Sequence, residues 1–119
     1  MLIFHVTSRD DWHNAVASGA YALSTRGKTL AEVGFIHCSK ADQVTRVADL
    51  IYKGVGGLVL LVIDRSRVHA PVRDEPADGG ESDRFPHIYG PLNLDAVAEV
   101  LPFAPNADGS FSLPEGLRG

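Results

Sequence analysis

At 119 residues, with 45% hydrophobic and 22% charged side chains, the chain has the composition of one globular domain with a core of its own. A net charge of −4 argues against a general nucleic-acid binder, whose affinity rests on many Lys and Arg contacts to phosphate, so RNA as a partner finds no support in the charge. The single cysteine excludes an internal disulfide and fits a reducing compartment. The longest apolar run, Leu58 to Ile63, is far short of the roughly 20 residues that span a bilayer. With no charged-then-apolar leader at the start, the expectation is a cytoplasmic protein off the membrane, monomeric or a small homo-oligomer.

In chain order, residues 2–7 alternate and predict a first strand. Ser8, followed by Asp10 and Asp11, marks a helix start; Trp12, Ala15 and Val16 share a helical face and Gly19 is its natural stop. Tyr21 to Leu23 reads as a short strand or an extended link. Thr29-Leu30-Ala31-Glu32 is a capping-box pattern closed at once by Gly34, which predicts about one helical turn. Phe35 to Cys38 reads as a strand, and Ser39 then stands where a long helix must be capped. Val44, Val47, Ala48 and Ile51 give that helix its apolar face, and Gly54 ends it. Leu58 to Ile63 lacks polar alternation and predicts a central strand buried on both faces.

After Pro71, Val72 to Asp74 suggests another short strand. The stretch from Glu75 to Arg84, rich in Asp, Glu, Gly and Pro, has little reason to be rigid without a partner. Strand character resumes at Phe85 to Tyr89, with Pro86 pointing to an edge or a strand start. Asn93 can cap a short turn, Ala98 to Phe103 reads as a last strand, and Asn106 to Gly109 can hold a hairpin turn. The whole is an α+β domain over residues 1–104, with helices mostly in the first half. A C-terminal tail, 105–119, packs on it or extends from it.

Three stretches repeat one chemical pattern: Ile3-Phe4-His5-Val6-Thr7, Phe35-Ile36-His37-Cys38-Ser39 and Phe85-Pro86-His87-Ile88-Tyr89. Residues i and i+2 of an extended chain share a face, so each stretch shows an imidazole beside a hydroxyl. Histidine is the side chain most easily poised to exchange protons near neutral pH. Three such strands at one cleft would form a titratable site, the plainer alternative being three hydrogen-bonded structural histidines. Three histidines can also hold zinc, but there is no His-x-His or His-x-x-x-His pair and no carboxylate at ligand spacing, so no metal is expected.

The same alternation turns Cys38 to the opposite face, beside Ile36, as a small hydrophobe; a cysteine nucleophile with His87 as its base is the weaker reading. Ser39 can cap the helix alone, or cap it and also present its hydroxyl to a ligand. A helix start with Lys40 in its first turn would favour an anionic group. Tyr89 is either a half-buried strand residue or a flat surface for a base or nicotinamide. Glu75 is a candidate catalytic acid or ribose ligand, or one more residue of a solvated acidic loop. Trp12, Tyr21 and Tyr52 read as packing residues, His13 and His69 as surface. Neither G-x-G-x-x-G nor G-x-x-x-x-G-K-[ST] is present, which disfavours a Rossmann or P-loop site.

Taken in order, Ile3 to Thr7, Trp12, Gly34 to Ser39 with Gln43-Val44, Leu60 to Asp64, Glu75, and Phe85 to Leu92 with Ala96-Val97 resemble the bacterial domain of unknown function family 952, over roughly residues 2–103. That family is grouped with the ADP-ribosyltransferase fold. The resemblance therefore implies two small mixed or antiparallel sheets forming a split core, with NAD as substrate in the cleft between them. The segment order is also similar to that of RNA 2′-phosphotransferases, in which a Tyr-His-Gly-Thr strand and a later His-x-His-Leu-Ser strand line the NAD cleft. Phe4-His5-Val6-Thr7 matches the first and Phe35-Ile36-His37-Cys38-Ser39 the second.

By that likeness His5 and Thr7 would contact the adenosine ribose or diphosphate, and His37 and Ser39 would flank the nicotinamide. His87 and Tyr89 would face a second substrate. Val6 replaces the glycine of the first motif, the arginines that grip an RNA phosphate are not evident, and only Glu75 offers itself as the transferase glutamate. The expectation is an NAD-dependent ADP-ribosyltransferase-like or 2′-phosphotransferase-like enzyme. Its catalytic residues would be His37, His87 and Glu75, and its cofactor-binding residues His5, Thr7, Ser39 and Tyr89. The alternatives are a nucleotide- or metabolite-binding module without turnover, and a cysteine- or metal-dependent hydrolase.

Overall fold

The computed structural model describes residues 1–76 and 83–114. Most of the acidic, Gly-rich stretch between Glu75 and Arg84, and the end of the tail, lie outside the described residues. The fold is a small α+β arrangement with antiparallel sheets and few helices. The first sheet joins β1 (Leu2–Ser8), β4 (Leu58–Asp64) and β8 (Val97–Pro102), with β4 in the middle. Its register runs from Leu2 opposite Asp64 to Ser8 opposite Leu58. A second sheet pairs the two-residue strands β2 (Ala20–Tyr21) and β7 (Leu92–Asn93); a third has the order β3 (Ile36–His37), β6 (Arg84–Ile88), β5 (Val72–Pro76). The described residues thus form three sheets, every pairing antiparallel, where two small mixed or antiparallel ones were expected. The β2–β7 ladder is only two residues long and joins neither larger sheet.

The unbroken apolar run of β4 has the cause anticipated from sequence: both of its faces are covered. Val59, Leu61 and Ile63 join Ile3, Tyr21, Ile36 and Ile88 in one core cluster. Leu60 and Val62 join Phe4, Val44, Ala48, Phe103 and Phe111 in the other. The second cluster is roofed by α3 (Ala41–Tyr52), whose Val44 and Ala48 are fully buried while Val47 and Ile51 are only half-buried. Among the described residues no helix is long and apolar enough to cross a membrane.

Local signals set most boundaries. Ser8 Oγ accepts from the Asp11 amide at 3.0 Å to start α1 (Arg9–Ser18), and Gly19 closes it with a left-handed φ of 94°. Thr29 and Glu32 form the reciprocal capping box of the one-turn α2 (Leu30–Val33). The tail turns at Asn106–Gly109 without forming a hairpin, and Phe111 stacks on Phe103 with ring centroids 4.9 Å apart.

Four expectations need correction. Val16 is 52% exposed, because the buried face of α1 is narrow and runs through Trp12 and Ala15. Ser39 does not cap α3. Its amide and carbonyl both bond Phe4 of β1 at 2.8 Å, which holds it extended, so the helix begins after Lys40 and Gln43 Oε1 accepts from the Lys40 amide instead. Asn93 spends its side chain on the Arg67 carbonyl, the His69 amide and Asp95 rather than on a cap. Finally, β6 is the centre of its sheet and not an edge, despite Pro86. The Pro86 carbonyl accepts from the Cys38 amide at 3.0 Å, so its missing donor faces the end of β3, and the cost is one bond at the point where that pairing stops.

Candidate functional site

The β3–β6–β5 sheet carries the chemistry on one face. His37 is directly opposite His87, and Arg73 is opposite His87 on the other side. By the two-residue period of a strand, Phe35, Phe85, Tyr89 and Glu75 share that face. Phe35 lies parallel over His87 with centroids 4.1 Å apart, and the Arg73 guanidinium sits 5.1 Å above the Tyr89 ring. His37 Nδ1 and His87 Nε2 are 3.2 Å apart, and His87 Nδ1 is 3.0 Å from Glu75 Oε1. Tyr89 donates a short hydrogen bond to the same carboxylate oxygen.

The direction of this chain follows from what each group can do. An ionised carboxylate only accepts, so His87 donates from Nδ1 and is left with a lone pair on Nε2. His37 then donates from Nδ1 to that lone pair and keeps its own free lone pair on Nε2. The hydroxyl of Tyr89 and the ring of His87 hold the Glu75 carboxyl below the usual carboxylate range, and the same carboxylate pushes the Tyr89 phenol up. Burial, and then the neighbouring His87 and His5, lower His37 to about 4, so it is a neutral imidazole at pH 7. His87 is 2% exposed and Glu75 32%, which makes Glu75 the solvent end of the line.

His5 has a different occupation. Its Nδ1 donates to the His37 carbonyl at 2.7 Å, so its Nε2 accepts from the Tyr21 hydroxyl, also at 2.7 Å. Both nitrogens are satisfied, the ring is 4% exposed, and burial lowers it to about 4. Burial likewise drives the Tyr21 phenol up. The three histidine strands do converge, but His5 holds the backbone of β3 while His37 and His87 join ring to ring.

A cavity of about 440 Å³ opens beside the relay, walled by Phe35, His37 and Phe85 from the sheet, by Val47 and Ile51 from α3, and by Ser24 and Thr25 from the loop before α2. His37 is the member of the relay that borders it. A second, smaller space of about 20 Å³ is bordered by His5, Ser24, Arg26, His37, Ser39 and Tyr52. Thr7 borders a third space, about 340 Å³, on the far side of the same loop, with Tyr21, Arg26 and Lys28. Cys38 packs in the core with Ile36 at 1% exposure, its thiol pushed up by burial, away from these walls. Among the described residues no group of three His, Cys, Asp or Glu side chains is placed to hold a metal ion.

Two contributors escaped the sequence reading. Tyr21 is a core residue as expected, yet its hydroxyl is what completes His5. Ser24 is fully buried and its Oγ has no hydrogen-bond partner among the described residues, a state that costs roughly 1–3 kcal/mol. The signal for Ser24 was present in Ser24-Thr25-Arg26-Gly27-Lys28-Thr29, two hydroxyls followed by two cations around a glycine.

Fold and site together define a small α+β domain whose central feature is a carboxylate–imidazole–imidazole line ending at a cavity. The family model described as "Protein of unknown function (DUF952)" matches residues 6–100, and the chain belongs to this family. It is similar to the crystal structure of protein CC0527 from Caulobacter crescentus, at 31% identity over 94% of each chain with a TM-score of 0.82. The solution NMR structure of CC0527 aligns at 32% identity over 92% of this chain and 90% of that one, with a TM-score of 0.77. No curated protein matches the chain.

Proposed function

We propose that the chain is an enzyme acting on a nucleotide of the NAD type, with His37 as general base and the nicotinamide or base ring in the 440 Å³ cavity. The observation that carries this reading is His37, which borders the cavity and whose Nε2 has no hydrogen-bond partner among the described residues, at the end of a line that runs through His87 to Glu75. When Nε2 takes a proton, Nδ1–H can pass to His87 and the His87 Nδ1–H to Glu75, which faces solvent. A buried, weakly basic imidazole can therefore discharge what it accepts. The aromatic walls Phe35 and Phe85 suit a planar ring, and Arg26 and Lys28 on the adjoining loop supply charge for phosphates.

In this assignment Glu75 does not touch the substrate. It acts through His87 as a positioning residue, and Tyr89 holds Glu75 in turn. Thr7 and Arg26 belong to the phosphate side, Ser39 to the smaller space that also borders His37, and His5 is a structural support rather than a ligand contact. An exposed thiol, which a cysteine hydrolase needs, is not what Cys38 offers.

The second reading, a nucleotide- or metabolite-binding module without turnover, draws on one fact: at about 4, His37 is a poor base. Calorimetric titration with NAD, ADP-ribose and nicotinamide, alongside a nicotinamide-release assay, separates the two. Release that is lost in His37→Ala supports the enzyme, and binding without release supports the module. No binding of any of the three at millimolar concentration rejects both.

A further inference from the structure

We propose that the three spaces around residues 24–28 form one groove for a dinucleoside diphosphate, and that Arg26 grips the diphosphate where the spaces meet. The inference rests on the reading of the 440 Å³ cavity as the seat of the nicotinamide or base ring and adds the place of the other half of the ligand. Shared walls put the spaces in a row. His37, Val47 and Ile51 border both the 440 Å³ cavity and the 20 Å³ space. Arg26 and Tyr52 border both the 20 Å³ space and the 340 Å³ space, and Thr25 borders all three. The 20 Å³ space is therefore the middle of the row, and among its walls Arg26 is the one permanent charge.

Arg26 is held at that junction from outside its own loop. Its Nη1 donates to the Ile51 carbonyl at 2.9 Å, and its guanidinium carbon lies 5.5 Å from the centre of the Tyr52 ring. Ile51 is in the last turn of α3, where carbonyls lack helical partners and the helix end is partly negative, so a cation is favoured there. One of five N–H donors is spent in this way, and Arg26 has no other hydrogen bond or ion pair among the described residues. A planar fork can hold a carbonyl with one arm and a phosphate oxygen with the other. Because Arg26 is exposed, its bare charge is screened, and its advantage lies in the fixed geometry.

The two flanks differ in chemistry. The 440 Å³ side offers Val33, Phe35, Leu50 and Phe85 to a flat ring. The 340 Å³ side carries Lys28, Tyr21 and Asp11, the one carboxylate on these walls. A carboxylate repels phosphate but accepts from a ribose hydroxyl or an exocyclic amine. The diphosphate therefore stays at Arg26 and Lys28, and the second nucleoside lies toward Asp11. A mononucleotide occupies one flank, a dinucleotide both.

Calorimetric titration of the full chain tests the groove. NAD should bind about tenfold more tightly than nicotinamide mononucleotide or AMP. Arg26→Ala should weaken NAD and ADP-ribose by about ten- to a hundredfold, the worth of a hydrogen bond to a charged group. Its affinity for nicotinamide alone should be native, which also shows the 440 Å³ cavity intact. Arg26→Lys should lose nearly as much as Arg26→Ala, because an ammonium on a flexible stem does not replace the fork. In methyl-labelled protein, adenine protons of bound ADP-ribose should give nuclear Overhauser effects to Leu23 and Val55 on the 340 Å³ side. Mononucleotide binding equal to NAD, native affinity in Arg26→Lys, or adenine contacts at Leu50 instead overturns the proposal. Inorganic pyrophosphate separates it from the NAD reading. At millimolar concentration it should shift the carbonyl carbon resonance of Ile51 in the native chain and not in Arg26→Ala. No native shift, or an equal one in the variant, overturns Arg26 as the diphosphate ligand. An Arg26-dependent shift in a chain that binds no NAD rejects the NAD reading and keeps Arg26 as the diphosphate ligand.

Discussion

His5 and His37 stand on strands of the same pattern, and one holds the backbone carbonyl of the other, yet they have opposite ends. His5 is closed: a carbonyl on one nitrogen, a phenol on the other, and almost no exposure. His37 is open: one nitrogen is engaged by His87, the other has no partner among the described residues, and the residue borders a cavity. Burial lowers both to about 4, so the shift by itself does not distinguish them. What distinguishes a supporting histidine from a reactive one is whether a nitrogen is left over and whether a path leads from it to solvent.

The largest effect that would sharpen this contrast is on turnover. His37→Ala should reduce nicotinamide release from NAD by about 10²–10⁴-fold, the usual contribution of a general base. Affinity for ADP-ribose should change little by calorimetry, because the ring borders the cavity without filling it. An equal loss in His5→Phe, with its fold intact, would erase the distinction.

How much of this was legible beforehand follows the same division. The three histidine stretches, the turn of Cys38 to the face opposite His37 and the run of Leu58 to Ile63 all follow from local pattern, which a sequence displays directly. The register did not: that His37 falls opposite His87, and that Glu75 falls two places from the residue facing His87, depends on where two strands stop sliding past each other. Glu75 could therefore be named as a candidate but not given a partner. Ser24 was missed because an orphaned hydroxyl is a property of its surroundings. Ser39 was misread as a cap because its backbone is claimed by Phe4, 35 positions earlier in the chain. Long-range pairing overrode a sound local signal there, as it did at Pro86.

His5→Phe is the counterpart on the stability side. The variant leaves the His37 carbonyl and the Tyr21 hydroxyl without partners in a closed core, and a loss of roughly 2–4 kcal/mol is expected, read from the urea midpoint at pH 7. Tyr21→Phe should cost less, about 1–2 kcal/mol, since only one bond is removed and His5 keeps the other. If His5→Phe were as stable as the native chain, the closed histidine would have no supporting role.

Acid should expose the same residue. In the unfolded chain histidine titrates near 6.5, whereas folded His5 titrates at about 4. Between those values the unfolded state binds the proton and the folded state does not, so stability falls as pH drops from 6.5 to 4 and levels off below. For His5 the loss is on the order of 3 kcal/mol at most, from the energy equivalent of the displaced pKa. Chemical denaturation at a series of pH values should show this slope in the native protein and a flatter one in His5→Phe. A native slope of the opposite sign would show that His5 is protonated in the fold.

The smallest expected effect asks whether the open end of the relay depends on its charge. In Glu75→Gln the amide oxygen can take the place of Oε1 and still accept from both Tyr89 and His87, so the hydrogen-bond pattern and the fold should survive. What is lost is a group that can take the proton. His37 can still accept one at Nε2, but His87 then has no anion beyond it, and the proton must leave against the buried ring's preference for neutrality. Release of nicotinamide should fall by about tenfold, with KM for NAD unchanged and the acid limb of the rate profile moved to lower pH, because an imidazole with no anion beyond it is harder to protonate. Tyr89→Phe keeps the carboxylate but removes the hydroxyl that holds it low, and should move that limb the opposite way, to higher pH, by less. A Glu75→Gln variant with native turnover at every pH would mean that protons leave His37 directly into the cavity, and that the line through His87 only orients the ring.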